Sequence, residues 1–195
     1  MRRLPAAILV LALFPFCRAD PAAAFKGALR RALDADAVWT MTKTFGDAPG
    51  GLKSEGSVSC AKGSGIIWQG ERPFKSRISM LKDMMVFAGR GGERIVLSSD
   101  MPHYADVRSA IDGFLEGRDA PLGELFELSV SGSAAGWTVG LLPKRADMKM
   151  IVRSVSVSGG ATVDRAEFRY ASGERAIFEF RETGRGSRSL WKNGE

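Results

Sequence analysis

Apolar and polar positions alternate along most of this chain. From Val38 the period is two: Trp39, Met41 and Phe45 fall on one face, and Thr40, Thr42 and Thr44 on the other. That is the signature of a half-buried strand. Gly46–Leu52 is a turn cluster. Lys53–Ala61 and Ile66–Gln69 follow as strands around the basic, Gly-rich turn Lys62–Gly65. Lys75–Leu81, Met84–Gly89 and Glu93–Ser98 continue the meander. Strands resume at Glu127–Ser131, Gly136–Leu142, Met148–Ser158, Thr162–Tyr170 and Glu174–Glu182. Gly159-Gly160 and Ser172-Gly173 have hairpin-turn composition. In the last hairpin Ala166, Phe168, Tyr170, Ala176, Phe178 and Phe180 face one way. Arg165, Glu167, Arg169, Arg175, Glu179 and Arg181 face the other, where opposite charges can pair across the strands.

Three segments break the alternation. Asp20–Ala37 reads as a helix, with Phe25, Leu29 and Leu33 spaced at i, i+4 and i+8. Met101–Gly117 has helical spacing at Val107, Ile111, Phe114 and Leu115, and Pro121–Phe126 reads as a second short helix. The expected fold is mainly β with α. A single antiparallel sheet of about ten or eleven strands is too long to stay flat. It should curl into an incomplete β-barrel, covered by the N-terminal helix and a mid-chain helical lid.

The N-terminus alters the charge picture. Arg2 and Arg3 precede the apolar run Leu4–Phe16, and Cys17-Arg18-Ala19 precedes Asp20. This is the pattern of a secretory signal peptide over residues 1–19, too short to span a bilayer. A lipid on Cys17 is the competing reading, disfavoured by bulky Phe14 and Phe16 just before it. Without Arg2, Arg3 and Arg18, Lys and Arg fall from 28 to 25 against 22 acids, so the net charge drops from +6 to +3. The basic balance then gives little support to nucleic-acid binding. Only Cys60 remains beyond that segment, so residues 20–182 must hold together as one domain without a disulfide. Residues 183–195 are polar and Gly-rich and read as a flexible tail.

Catalytic patterns are sparse. There is no nucleophile elbow and no P-loop. His103, between Asp100 and Asp106, is the one site on which a hydrolase could be built, and one His with one Cys cannot make a structural zinc centre. No cofactor is implied. The conspicuous inventory is bulky and apolar, on alternating strands: Trp39, Met41, Phe45, Trp68, Ile78, Met80, Met85, Phe87, Ile95, Leu97, Trp137, Phe168 and Phe178. Flexible Met among aromatics suits a cavity that takes varied apolar ligands.

The stretch Gly56–Pro73 resembles the LolA family of periplasmic lipoprotein carriers of Gram-negative bacteria. The matching pieces are Leu52–Gly56, Gly65-Ile-Ile-Trp68 and Pro73, then Leu115-Glu-Gly117, Leu125-Phe126 and Trp137–Pro143. The resemblance implies an incomplete barrel whose cavity shelters acyl chains, with no enzymatic activity. It places Ile111, Phe114, Leu115, Leu125 and Phe126 in the lid. It gives Lys62 the cargo-transfer position that an Arg holds in the family, with Gly63-Ser64 where the family has Arg-Pro. It also implies an acylated lipoprotein or related lipid-like cargo, an inner-membrane exporter, an outer-membrane acceptor, a monomer and a periplasmic location. The alternative on the same fold is a lipoprotein-sensing, regulatory binding module.

Overall fold

A computed structural model describes residues 20–32, 35–46, 50–61, 65–81, 84–89, 93–98 and 123–185. The signal-peptide segment, Lys62, His103, the helix expected over 101–117 and the tail beyond 185 lie outside the described residues.

Helix α1 (Pro21–Ala32) starts where its chemistry demands. Asp20 accepts the amide of Ala22 at 2.9 Å through Oδ1. Pro21 occupies the first helical position, where a missing N–H costs nothing. Arg30 and Arg31 close the last turn, favourably placed at the negative end of the helix dipole. Phe25, Ala28 and Leu29 form its buried face.

The strands are β1 (Ala35–Phe45), β2 (Leu52–Ala61), β3 (Gly65–Arg72), β4 (Ser76–Met80), β5 (Met84–Ala88), β6 (Arg94–Ser98), β7 (Phe126–Ser133), β8 (Gly136–Pro143), β9 (Val152–Gly159), β10 (Val163–Tyr170) and β11 (Glu174–Arg185). They form one open antiparallel sheet in the order β6-β5-β4-β3-β2-β1-β11-β10-β9-β8-β7. The two meanders therefore meet at β1 and β11, and β6 and β7 are the edges.

Several boundaries differ from the sequence pattern. β11 runs to Arg185, into the segment expected as tail, because β1 supplies its partners as far as Ala35. Phe126, expected to end a short helix, opens β7 by pairing with Pro143. The helix expected to run to Ala37 ends at Ala32, and β1 begins at Ala35. Ala35 pairs with Arg185 and Ala37 with Glu182, so the ladder to β11 overrides alanine's helix preference. The strand expected from Met148 starts at Val152. Before it, Ala146–Lys149 forms a one-turn helix, α2. Asp147 sets this turn: it holds Arg145 at 2.6 Å and accepts the amide of Met148 at 2.9 Å.

The sheet is strongly curled. Trp68 on β3 and Phe178 on β11 are three strand spacings apart, about 14 Å on a flat sheet. Their ring centroids lie 5.6 Å apart, and those of Trp68 and Phe180 5.9 Å. Trp39 on β1 stacks on Trp68 at 5.2 Å. It can reach across β2 because Gly56 is its register partner there. A Cβ on Gly56 would sit 2.7 Å from the Trp39 ring and 1.9 Å from the Gln69 carbonyl oxygen. Helix α1 lies inside the curl against β7, β8 and β10. Its Phe25, Ala28 and Leu29 pack with Trp137, Val139, Leu141, Val157 and Ala166 into a solid core.

The convex face of the β10–β11 hairpin carries the charge network. Arg175 donates to both carboxylate oxygens of Glu167, at 2.8 and 2.9 Å, and Arg169 donates to one at 2.9 Å. Arg165 is 3.4 Å from Glu167 and 3.7 Å from Glu179. Hydrogen bonding from Arg175 is the main cause that pulls the Glu167 pKa down from 4.5 to about 2; burial opposes it and Arg169 assists. The folded pKa lies below the unfolded one, so the stabilisation is complete above about pH 4.5 and is lost as pH falls toward 2. Glu167→Gln should cost about 1–2 kcal/mol at pH 7 once solvent screening is allowed for. In urea melts the gap to wild type should be flat from pH 5 to 8 and close below pH 4.5. A gap that persists at pH 2 would mean that the amide's packing, not its charge, is responsible.

Candidate functional site

Helix α1 fills only part of the trough. It covers the β7–β10 side and leaves the strip in front of β11 and β2–β4 uncovered by any described helix. There the structure contains an open cavity of about 570 Å³ with an almost wholly apolar lining. This is within the usual range of about 300–1,000 Å³ for small-molecule sites. One wall is built from bulky residues that the alternation exposed: Trp68, Ile78, Met80, Phe168 and Phe178. Phe126, from the expected lid, also lines it.

The other wall is made of small residues. Ala28 and Ala32 of α1, Ala35 and Ala37 of β1, and Ala166 of β10 all line the cavity. Sequence reading passed over them because it sought large side chains. The space exists where side chains stop short of filling it. The signal was present in the sequence, as alanines at inward positions of a strand and along one helix stripe. Among the described residues Leu29, Val58, Cys60, Ile66, Leu141, Phe180 and three further valines complete the lining, and Thr162 and Glu182 add polar side chains beside the thiol.

Several expected lining residues lie elsewhere. Trp39 stands beside the cavity, stacked on Trp68 and edge-on to Phe178. Trp137 is in the core under α1, edge-on to Phe25, and donates its indole N–H to the Gly160 carbonyl at 2.8 Å. Met41 and Phe45 lie toward the far end of β1, where Phe45 is exposed. Met85 is buried and Phe87 half-buried on β5, outside the cavity. Ile95 is exposed on the edge strand β6, and the backbone of Leu97 pairs with Met85. Leu125 is buried in the turn before β7. Lys62, Ile111, Phe114 and Leu115 lie outside the described residues.

The chemistry of the cavity is that of a solvent for hydrocarbon. Cys60 faces into it, and burial, reinforced by the negative charge of Asp36, pushes the thiol up to about 11. A protonated thiol behaves as a small hydrophobe. Among the described residues no three His, Cys, Asp or Glu side chains gather as a metal-binding group. No described helix is long and apolar enough to cross a membrane.

The family described as outer membrane lipoprotein carrier protein LolA-like matches residues 61–191. This chain belongs to the LolA-like family. No curated protein matches it. Among solved structures, a LolA superfamily protein from Nitrosomonas europaea shares 10% identity over 83% of this chain and 91% of that one, with a TM-score of 0.41. A putative outer membrane lipoprotein-sorting protein domain from Vibrio parahaemolyticus shares 11% over 88% and 94%, with a TM-score of 0.42. The Pseudomonas aeruginosa MucA/MucB complex shares 10% over 87% of this chain and 58% of that one, with a TM-score of 0.45. The open, curled sheet with an apolar trough is therefore found in a chain of a family described by lipoprotein carriage.

Proposed function

We propose that this LolA-like protein is a periplasmic carrier that shelters the acyl chains of lipoproteins, or of related lipidated cargo, during transfer to the outer membrane. The observation that carries the reading is the cavity: about 570 Å³, open, and lined almost entirely by carbon. An acyl chain buried there gains about 0.8 kcal/mol per methylene. A dozen methylenes would supply on the order of 10 kcal/mol before ordering costs. The reading makes Trp68, Ile78, Met80, Phe126, Phe168 and Phe178 acyl contacts, with Leu125, Ile111, Phe114 and Leu115 in the covering lid. Lys62 takes the cargo-transfer role at the rim. Residues 1–19 direct export, and an inner-membrane exporter and an outer-membrane acceptor hand the cargo on to and off a monomeric carrier. The cavity needs no catalytic group for this work.

The test is direct. Protein purified under mild conditions and extracted for mass spectrometry should release acylated lipid, and a fluorescent acyl probe should bind with an affinity that Trp68→Ala weakens. No bound lipid, no probe binding and a Trp68→Ala variant indistinguishable from wild type would overturn the reading.

Cys60 offers a second readout. Its alkylation, followed by peptide mapping, should be slow at pH 8 and should accelerate as pH approaches about 11. Saturating acyl probe should slow it about tenfold further, because the thiol lines the cavity. Equal rates with and without probe would place the probe elsewhere.

A further inference from the structure

Most of the largest exposed apolar side chains gather at one end of the sheet. Phe45 and Leu52 flank the β1–β2 turn, 46% and 45% exposed. Phe74, 56% exposed, tips the β3–β4 turn, and Met150 and Ile151, 75% and 66%, stand between α2 and β9. Ile95, 61% exposed, near the start of β6, and Leu142, 51%, near the end of β8, stand toward the same end; Met84, Val96 and Val130 are less exposed and scattered. Strand order makes the cluster a continuous rim. The β3–β4 and β1–β2 hairpins are neighbours through β2 and β3, and β1–β2 and β10–β11 through β1 and β11. Lys43 sits over the rings of both Phe45 and Tyr170, at 5.1 and 5.6 Å, and so joins two of these turns. The Ala171 amide donates to the Ile151 carbonyl at 2.9 Å and joins a third.

Cations outnumber acids on the rim. Glu55 is held by Arg72, Glu174 by Lys43, Asp147 by Arg145, and Glu167 by Arg169 and Arg175. Among the described residues of these four hairpin ends, the exposed charges outside ion pairs are Lys53, Lys75, Lys144, Lys149 and Arg153 against Glu71; the adjoining β5–β6 turn and the start of β7 add Arg94 against Glu93, Glu124 and Glu127. Exposed apolar tips set among an excess of cations are the chemistry of an interface with a lipid surface. The tips enter the headgroup layer while the cations meet anionic lipid. Singly exposed apolar residues need no explanation, but a contiguous rim of them does.

We propose that this end of the protein docks on an anionic membrane surface through Phe45, Leu52, Phe74, Met150 and Ile151. Cys60 and Glu182 line the cavity toward the opposite ends of their strands, as does Thr162 in the turn before β10. Docking by the rim therefore leaves that side of the cavity turned away from the bilayer and free to meet another protein.

The test is vesicle flotation at low and high salt, with phosphatidylcholine vesicles and with vesicles that also contain phosphatidylglycerol. Wild type should float with the anionic vesicles, less so at high salt. The pair Met150→Ser with Ile151→Ser, and separately Phe74→Ser, should each lower partition about tenfold; Lys53→Glu with Lys149→Glu should do the same. All are surface positions, so thermal melts should match wild type, and residues 1–19 are common to every protein compared. No preference for anionic vesicles, or rim variants that float like wild type, would overturn the proposal. So would rim variants that lose only a protein partner. Acyl-probe binding in the same variants should be unchanged. Lost probe binding with retained flotation would count against the carrier reading alone.

Discussion

Replacing Trp137 with alanine is expected to lower stability by about 3–5 kcal/mol, the largest loss of any single side chain in this fold. The indole is 1% exposed. It packs against α1, edge-on to Phe25 at 5.1 Å. Its register partners on either side are Gly132 and Gly159, so no neighbouring side chain can move in to fill the space. The Gly160 carbonyl would also lose its donor. Urea denaturation should show a lower midpoint with an unchanged slope. Trp137→Phe keeps the ring and removes the N–H, and should cost less, about 1–2 kcal/mol beyond the volume change. A Trp137→Ala loss below 1 kcal/mol would mean that α1 is not anchored through this residue.

The second large effect is on binding. Ala37→Trp should reduce acyl-probe affinity at least tenfold while moving the unfolding midpoint little. Ala37 faces the cavity between Val58 and Glu182, its register partners on β2 and β11. An indole there projects into empty space instead of into packed neighbours, so overpacking strain of the usual 1–3 kcal/mol should not arise. Thr40→Trp, on the exposed opposite face of the same strand, is the control and should bind normally. Unchanged probe binding in Ala37→Trp would move the ligand out of this cavity; equal loss in both variants would assign the effect to the strand itself.

Much of this architecture was legible because antiparallel strands with one wet face write their period into the sequence. Phe168 stands between Glu167 and Arg169 and faces inward as the alternation requires; Phe178 and Trp68 also face inward, although Ile177 and Ile67 precede them and only Glu179 and Gln69 mark the polar side. The charge pairing across the last hairpin was equally readable, although Glu167 gathers several arginines where simple cross-strand pairs were expected. What the sequence hid has a common cause. Ala35 and Ala37 look helical in isolation and become strand because β11, far along the chain, pairs with both and β2 pairs with Ala37. Alanine also carries no bulk, so the residues that create the cavity gave no signal to a search for large ones. Trp39 and Trp137 looked alike, yet one borders the cavity and the other plugs the core, because α1 packs over only one side of the trough. Burial on that scale depends on which helix covers which strands, and no local pattern encodes it.

The seam between β1 and β11 carries a kinetic consequence. These strands, at the middle of the sheet, are the first and last of those described, and their paired residues, such as Ala35 and Arg185, are among the most distant in the chain. The hairpins on either side can form from local contacts as soon as they exist. The curl cannot close until the final strand is present, and such non-local closure is slow. A chain built this way stays threadable until its end has emerged.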